Sequence, residues 1–181
     1  MMNYMENNGV NMKCIARITD KEILGTDGLS VSVPRITARA ILKNRNDMFA
    51  VMYSEKFNLY SLPGGGVEDG EDVTTAIQRE IWEETGCSTA SIQPLGYIEE
   101  NRAHCDYTQI DYYFVLETND LDLKPHLTEN EAKNKTTVMW LNADEMYYHI
   151  ATPEHNTNQR KFLQARDVAA LDYYFSTISK M

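Results

Sequence analysis

Apolar and polar positions alternate along much of this chain, shift to a helical period once in the middle, and shift again near the end. Residues 35–42 place Ile36, Ala38, Ala40 and Leu42 at every second position, which predicts a strand. Asn44, Arg45, Asn46 and Asp47 form a hairpin turn signal, and residues 48–53 return as the next strand. Upstream, residues 13–23 read as a short strand with a turn near Gly25 and Gly28. Residues 59–62 are a short strand stopped by Pro63 and three glycines. Over residues 71–85 the period becomes helical, with Asp72 as N-cap and Gly86 as the stop. Strands follow over 92–98, 109–117 and 137–141, and Asn142 opens a short helix through Met146 and Ile150. A longer amphipathic helix spans 157–176, with Phe162, Leu163, Val168, Leu171 and Phe175 as its apolar stripe. Residues 1–12 read as a polar, flexible tail, and 13–181 as a single domain. Strands, helix, strands and helices in that order predict an α/β fold, a mixed sheet with helices packed on it.

The chemistry concentrates on the middle helix. At about 100° per residue, Val73, Ala76, Ile77 and Ile81 share one face. Glu80 and Glu84 fall inside that arc and Glu83 lies at its edge, so carboxylates stand in line with residues that belong in a core. A solvated acidic face would lie opposite Val73 and Ile77. Partly buried carboxylates repel one another, lose hydration, and sit at the helix end where the macrodipole disfavours negative charge. A divalent cation offsets all three penalties, and oxygen-only ligands suit a hard ion such as Mg²⁺ or Mn²⁺. Gly64, Gly65 and Gly66 precede the helix and allow close backbone approach to a ligand; by themselves they are also what a flexible turn needs.

Gly65, Glu71, Arg79, Glu80, Ile81, Glu83, Glu84 and Gly86 stand at the spacing of a known signature. The segment 65–87 resembles the box of the Nudix (MutT-like) hydrolases, and all seven of its fixed positions match. At ordinary residue frequencies such a match arises by chance on the order of 10⁻⁸ per window. The strands before the box and the segment with Trp140 after it also resemble the family's layout. One departure is Cys87, where the family usually has an aliphatic residue; cysteine is small and apolar enough to pack there.

The resemblance implies a Nudix fold, an α/β/α sandwich with the box as loop–helix–loop, and hydrolysis of a nucleoside diphosphate linked to another group. It implies Glu80, Glu83 and Glu84 as metal ligands, with Gly65 giving a ligating carbonyl room. Arg79 would pair with Glu71 and hold the loop to the helix. Divalent ions would neutralise the pyrophosphate and make a water acidic enough to attack phosphorus. Glu83 or Glu84 serves as general base, or a glutamate of the downstream acidic loop, Glu129 or Glu131; Glu99 and Glu100 are weaker choices. Arg35 and Arg102 are candidate phosphate contacts.

Composition narrows the partners. Lys+Arg 17 against Asp+Glu 27 gives a net charge of −10, which argues against binding a nucleic acid polymer and leaves room for a small nucleotide brought in with a cation. No apolar run is long enough to cross a membrane, and the start lacks the apolar core of a signal peptide. The three cysteines, Cys14, Cys87 and Cys105, are scattered, as in a reduced, cytoplasmic protein. The four histidines, His104, His126, His149 and His155, show no metal-ligand spacing, although His104 and His126 could line a cleft. Tyr107, Tyr112 and Phe114 could stack on a base, with at least one of them core. Tyr173 and Tyr174 suggest helix packing or a homodimer contact. The marks of several family branches are missing: Ala103 stands near where ADP-ribose hydrolases carry proline, and His104 near where dinucleoside polyphosphate hydrolases carry tyrosine. A nucleoside triphosphate, an oxidised nucleotide or a nucleotide sugar remains as substrate. The alternative is a catalytically silent nucleotide-sensing or protein-binding module of the same fold, and a third reading is an acidic interaction domain with solvated glutamates.

Overall fold

The computed structural model describes residues 12–120, 123–127, 129 and 133–178. The tail expected over 1–12 lies outside the described residues except for Met12. Strand β1 (Cys14–Thr19) is followed by a short helix α1 (Asp20–Leu24), then β2 (Arg35–Asn44), β3 (Phe49–Ser54), β4 (Leu59–Ser61) and β5 (Gly64–Gly66). Helix α2 (Val73–Thr85) comes next, then β6 (Ser91–Arg102), β7 (Tyr107–Thr118) and β8 (Thr136–Leu141), and finally α3 (Ala143–Ala151) and α4 (Asn158–Ile178). Among the described residues no helix is long and apolar enough to cross a membrane.

The strands form one mixed sheet in the order β1-β6-β7-β2-β3-β4. β1 runs parallel to β6, and β2 runs parallel to β7 over ten residue pairs, Arg35↔Gln109 through Asn44↔Thr118. β6 and β7 are antiparallel, β5 lies antiparallel to the start of β2, and β8 lies antiparallel to β3. The period of two on β2 then decides the layers. Ala38, Ala40 and Leu42 face one side and pack with Tyr112, Phe114 and Leu116 of β7 under α2. Ile41 faces the other side, where Tyr113, Ile98 and Val51 meet Phe162 and Leu171 of α4. The result is an α/β/α sandwich with α2 on one face and α3 and α4 on the other.

Several elements differ from the sequence reading, each for a local reason. The strand expected to reach Ile23 ends at Thr19, because Thr19 and Glu22 form a capping box that starts α1. β6 and β7 extend past their apolar stretches because the polar residues at their ends find partners: Asn101 exchanges hydrogen bonds with the backbone of Ser30, and Glu100 joins a buried ion network. The glycine run is a strand as well as a turn, since Gly64, Gly65 and Gly66 pair with Arg39, Ala38 and Thr37. Tyr112 and Phe114 are both core, and so is Tyr174, whose ring meets Phe49 edge-on at 6.3 Å. The three cysteines are free thiols, with Cys87 buried in the α2 layer.

The largest difference is on α4. Leu163, Val168 and Phe175 are only half-buried, while Arg166 and Asp167 are inside, at 2% and 0% exposure. The sheet face opposite them is polar. Arg166 Nη1 lies 3.3 Å from Asp111 Oδ1 and 3.5 Å from Glu100 Oε1, and its Nε donates to Asp167 Oδ1 at 3.1 Å. Tyr113 donates to the same Asp167 oxygen at 2.8 Å. Burial alone would push the Asp111 carboxyl up; Arg166 and Arg39, with the Thr37 hydroxyl and the Gln109 amide, hold it below the usual carboxylate range. Burial raises Glu100 against the pull of Arg166 and Arg102. A buried ion network is strongly destabilised by loss of one member, since the remaining charges lose their partners. Arg166→Met is therefore expected to lower the unfolding free energy by about 3–5 kcal/mol in urea denaturation; a loss under about 1 kcal/mol would contradict the dependence of Asp111, Glu100 and Asp167 on this guanidinium.

Candidate active site

Helix α2 starts where Asp72 accepts hydrogen bonds from Thr74 N and Thr75 N, and ends at Gly86 in the left-handed conformation. Val73, Ala76, Ile77 and Ile81 are fully buried, so the rotation of the helix is fixed by its apolar stripe. That rotation carries Glu80 and Glu84 inward with them, to 9% and 7% exposure, and leaves Glu83 half-buried at the rim.

The glycine strand receives both inward carboxylates. Gly64 N–H donates to Glu84 Oε2 at 2.7 Å. A β-carbon on Gly65 would stand 2.4 Å from Glu80 Oε1, so a side chain there would push this carboxylate out of its present place. Arg79 closes the arrangement. Its Nε and Nη2 grip the two oxygens of Glu71, each at 3.0 Å, and Nη2 also donates to the Gly66 carbonyl at 2.9 Å. Its Nη1 donates to Glu80 Oε1 at 2.9 Å and to Glu83 Oε2 at 3.2 Å. One guanidinium thus ties the loop, the strand and the helix together. The fork of Arg79 holds the Glu71 carboxyl below its ordinary range against a smaller effect of burial, and Glu71 in turn raises Arg79.

Among the described residues no three His, Cys, Asp or Glu side chains stand arranged so that together they could hold a metal ion. The carboxylates as they stand are closed on Arg79 and Gly64. The donor set itself fits a hard divalent ion: carboxylate oxygens from Glu80, Glu83 and Glu84, plus the backbone of a glycine against which Glu80 packs without a β-carbon between them.

The other residues singled out from sequence divide. Arg35 stands beside the cluster, with Nη2 3.0 Å from where a β-carbon on Gly66 would be. Arg102 does not join it: its guanidinium is closed on Glu100 at 2.8 Å and lies over the rings of Tyr107 and Phe162, in the α4 layer. Glu100 belongs to that same network and Glu99 pairs with Arg17 at the surface, so neither is a base for this site. Glu129 is exposed beside Lys133, and Glu131 lies outside the described residues. His104 is held by Asp20, with Nδ1 2.8 Å from Oδ1. His126 does reach the box: its N–H donates to the Glu83 carbonyl at 2.6 Å and its ring stacks on Trp82 at 4.0 Å. Sequence reasoning missed this stack because the two residues are far apart in the chain and carry no shared pattern.

The Glu71–Arg79 pair yields a pH prediction. The folded pKa of Glu71 lies below its ordinary 4.5, so its stabilisation is fully present above that pH and fades as pH falls through the lower folded value. Glu71→Gln is expected to cost about 1.5–3 kcal/mol at neutral pH, with wild type and variant converging in acid. A stability gap that stays constant down to the acid limb would contradict this assignment.

Known proteins bear on the whole arrangement. A family model described as the NUDIX domain matches residues 33–165. A NUDIX hydrolase from Nitrosomonas europaea superposes with a TM-score of 0.60 at 20% identity, over 80% of this chain and 90% of that one, a likeness of fold. An RNA pyrophosphohydrolase from Dinoroseobacter shibae is 42% identical over 43 residues, 24% of this chain and 27% of the relative. Nudix hydrolase 7 from Arabidopsis thaliana is 28% identical over 97 residues, 51% of this chain and 34% of the relative. The matches thus span about a third or less of these curated relatives' own lengths. The matched region takes in most of the chain, from the start of the strand beside the glycines through the box helix to α4, and on that ground the chain belongs to the Nudix family.

Proposed function

We propose that this protein hydrolyses the phosphoric anhydride bond of a small nucleoside diphosphate derivative, with Mg²⁺ or Mn²⁺ as its cofactor. The observation that carries the reading is the inward placement of Glu80 and Glu84 on the core-facing side of α2, seated against Gly65 and Gly64. Nudix hydrolases generally use divalent metals. Here Glu80, Glu83, Glu84 and the Gly65 carbonyl would hold the ion. Bound there, it supplies positive charge against the pyrophosphate and acidifies the attacking water.

The chain's own groups divide the remaining work. Glu83 has the better solvent access, with its side chain 27% exposed, and accepts the proton of the attacking water as its oxygen bonds to phosphorus and the anhydride P–O bond breaks. Glu84 is committed to Gly64 N–H and holds the strand to the helix. Arg79 keeps Glu71 and Gly66 in place and, at i,i+4, orients Glu83. Arg35, at the start of β2 beside Gly66, contacts a phosphate oxygen.

The net charge of −10 favours a small nucleotide with its cation over a polyanionic strand. A nucleoside triphosphate, an oxidised nucleotide or a nucleotide sugar fits this. The activity for which the Dinoroseobacter relative is named suggests a 5′-triphosphorylated RNA end as a further substrate to include in tests.

The test is a hydrolysis panel with Mg²⁺ and with Mn²⁺. It contains nucleoside triphosphates, 8-oxo-dGTP, ADP-ribose, nucleotide sugars, dinucleoside polyphosphates and a triphosphorylated oligonucleotide. Turnover of one class is expected, falling about 10²–10⁴-fold in Glu83→Gln. Silence of the wild type across the panel in protein that binds Mn²⁺ would contradict the hydrolase reading and favour the nucleotide-sensing module.

A further inference from the structure

Successive glycines are the least constrained backbone a chain can have, yet the cluster above needs Gly64 and Gly65 to stand still. Gly64 has φ +131, a conformation that side-chain-bearing residues rarely adopt. Two peptide planes meet there. The plane between Pro63 and Gly64 is held at both ends: the Pro63 carbonyl accepts from Ala40 N at 2.9 Å, and Gly64 N–H donates to Glu84. The plane between Gly64 and Gly65 carries the Gly64 carbonyl, and that carbonyl accepts from Arg39 Nη1 at 3.2 Å.

Arg39 comes from β2, in register with Gly64, and its side chain is only 13% exposed. Its direction is set by Asp111, which is fully buried and accepts from Arg39 Nε at 3.0 Å. The same Asp111 oxygen accepts from Thr37 at 2.6 Å and from Gln109 at 2.7 Å, so the carboxylate cannot turn with the arginine. Behind Gly64, Leu62 N–H is anchored on Asp167 Oδ2 at 2.9 Å. The buried ion network on the α4 side of the sheet is therefore joined by hydrogen bonds to the glycine strand that receives the carboxylates of α2.

We propose that Arg39, aimed by Asp111, is a positioning residue for the active site: it sets the Gly64–Gly65 peptide plane and, through the Gly65 α-carbon on which that plane ends, the seat of Glu80 and the direction of the next carbonyl, that of Gly65. The proposal rests on the hydrolase reading above and adds a residue outside the box. Arg39 acts through Gly65 and touches neither substrate nor reacting atoms. A guanidinium suits the role because its fork can serve a carboxylate with one nitrogen and a carbonyl with another, which a single ammonium cannot do in the same geometry.

The test compares Arg39→Met, Arg39→Lys and Thr37→Val with wild type, by three readouts. The first is the Gly65 amide resonance in ¹H–¹⁵N spectra of the metal-free protein, the second Mn²⁺ affinity by electron paramagnetic resonance, and the third kcat and KM separately. Arg39→Met is expected to shift the Gly65 amide, weaken Mn²⁺ binding about ten-fold and lower kcat at least as much. KM should stay within about two-fold, since no substrate contact is lost. Arg39→Lys keeps the charge beside Asp111 and is expected to show the same signature in weaker form. Thr37→Val removes one of the hydrogen bonds that hold Asp111, while Gln109 still bonds the same oxygen and Arg39 keeps its own contact to Gly64; it should lose stability, with Mn²⁺ affinity and the Gly65 resonance changing less than in Arg39→Lys.

Wild-type values in folded Arg39→Met would overturn the proposal, and so would a rise in KM alone, which would make Arg39 a substrate contact. An equal loss of Mn²⁺ affinity in Thr37→Val would reduce the effect to general loosening and also overturn it. Should Arg39→Met fail to fold, Arg39→Lys decides on the same criteria. A wild type that neither binds Mn²⁺ nor turns over any substrate would sink the hydrolase reading, and the Gly65 resonance would then decide the Arg39 contact by itself.

Discussion

Gly65 carries no β-carbon, and Glu80 occupies the place where one would be. Much of the candidate site follows from that close approach. For a carboxylate to reach the glycine strand, α2 must lie flat on the sheet with its apolar stripe down, which Val73, Ala76, Ile77 and Ile81 enforce by complete burial. The helix must also be held along its length to the strand, which Arg79 and Glu84 do from its last two turns. The carboxylates of Glu71, Glu80 and Glu83 converge on Arg79, and that of Glu84 accepts from Gly64 N–H. Their mutual repulsion is offset by one fixed cation in Arg79 and, with α2 as a metal seat, by a second, divalent one.

The two faces of the sheet solve different problems. Under α2 the packing is apolar apart from the acidic end, so the helix keeps one rotation and the carboxylates one direction. Under α4 the interface mixes Phe162, Ala170 and Leu171 with Arg166, Asp167, Asp111 and Glu100. Such a network contributes little net stability over an apolar core, and its loss is costly only because its members are already buried. Its role becomes intelligible through its two exits toward the glycine strand, Asp167 to Leu62 N–H and Arg39 to the Gly64 carbonyl. A purely apolar layer could neither accept from Leu62 N–H nor donate to the Gly64 carbonyl.

Much of this was legible in the amino-acid order. The helical period of 71–85 located α2, Asp72 and Gly86 marked its ends, and the alignment of Glu80 and Glu84 with Ile77 and Ile81 foretold their burial. The same reasoning applied to α4 would have found Arg166, which stands four residues from Phe162 and four from Ala170 on one row of the helix; reading only its apolar residues drew the stripe through Leu163 and Val168 instead. β5 escaped because three glycines carry no side-chain pattern and its pairing is set by β2. Arg102 reads as a phosphate contact from its charge; its pairing with Glu100, two residues away on the same face of β6, is what the strand adds to that reading. Arg39 and the Trp82–His126 stack depend on contacts between residues distant in the chain, which periodicity does not report.

Everything proposed for catalysis requires that the inward carboxylates of α2 and the glycine strand together make a divalent cation seat. Anomalous scattering from crystals of the protein soaked in Mn²⁺ tests this without any choice of substrate. A peak is expected at about 2.1 Å from carboxylate oxygens of the Glu80, Glu83 and Glu84 group and from the Gly65 carbonyl. An anomalous map with no peak between α2 and the glycine strand, or with Mn²⁺ bound only at other acidic surface groups, would contradict it.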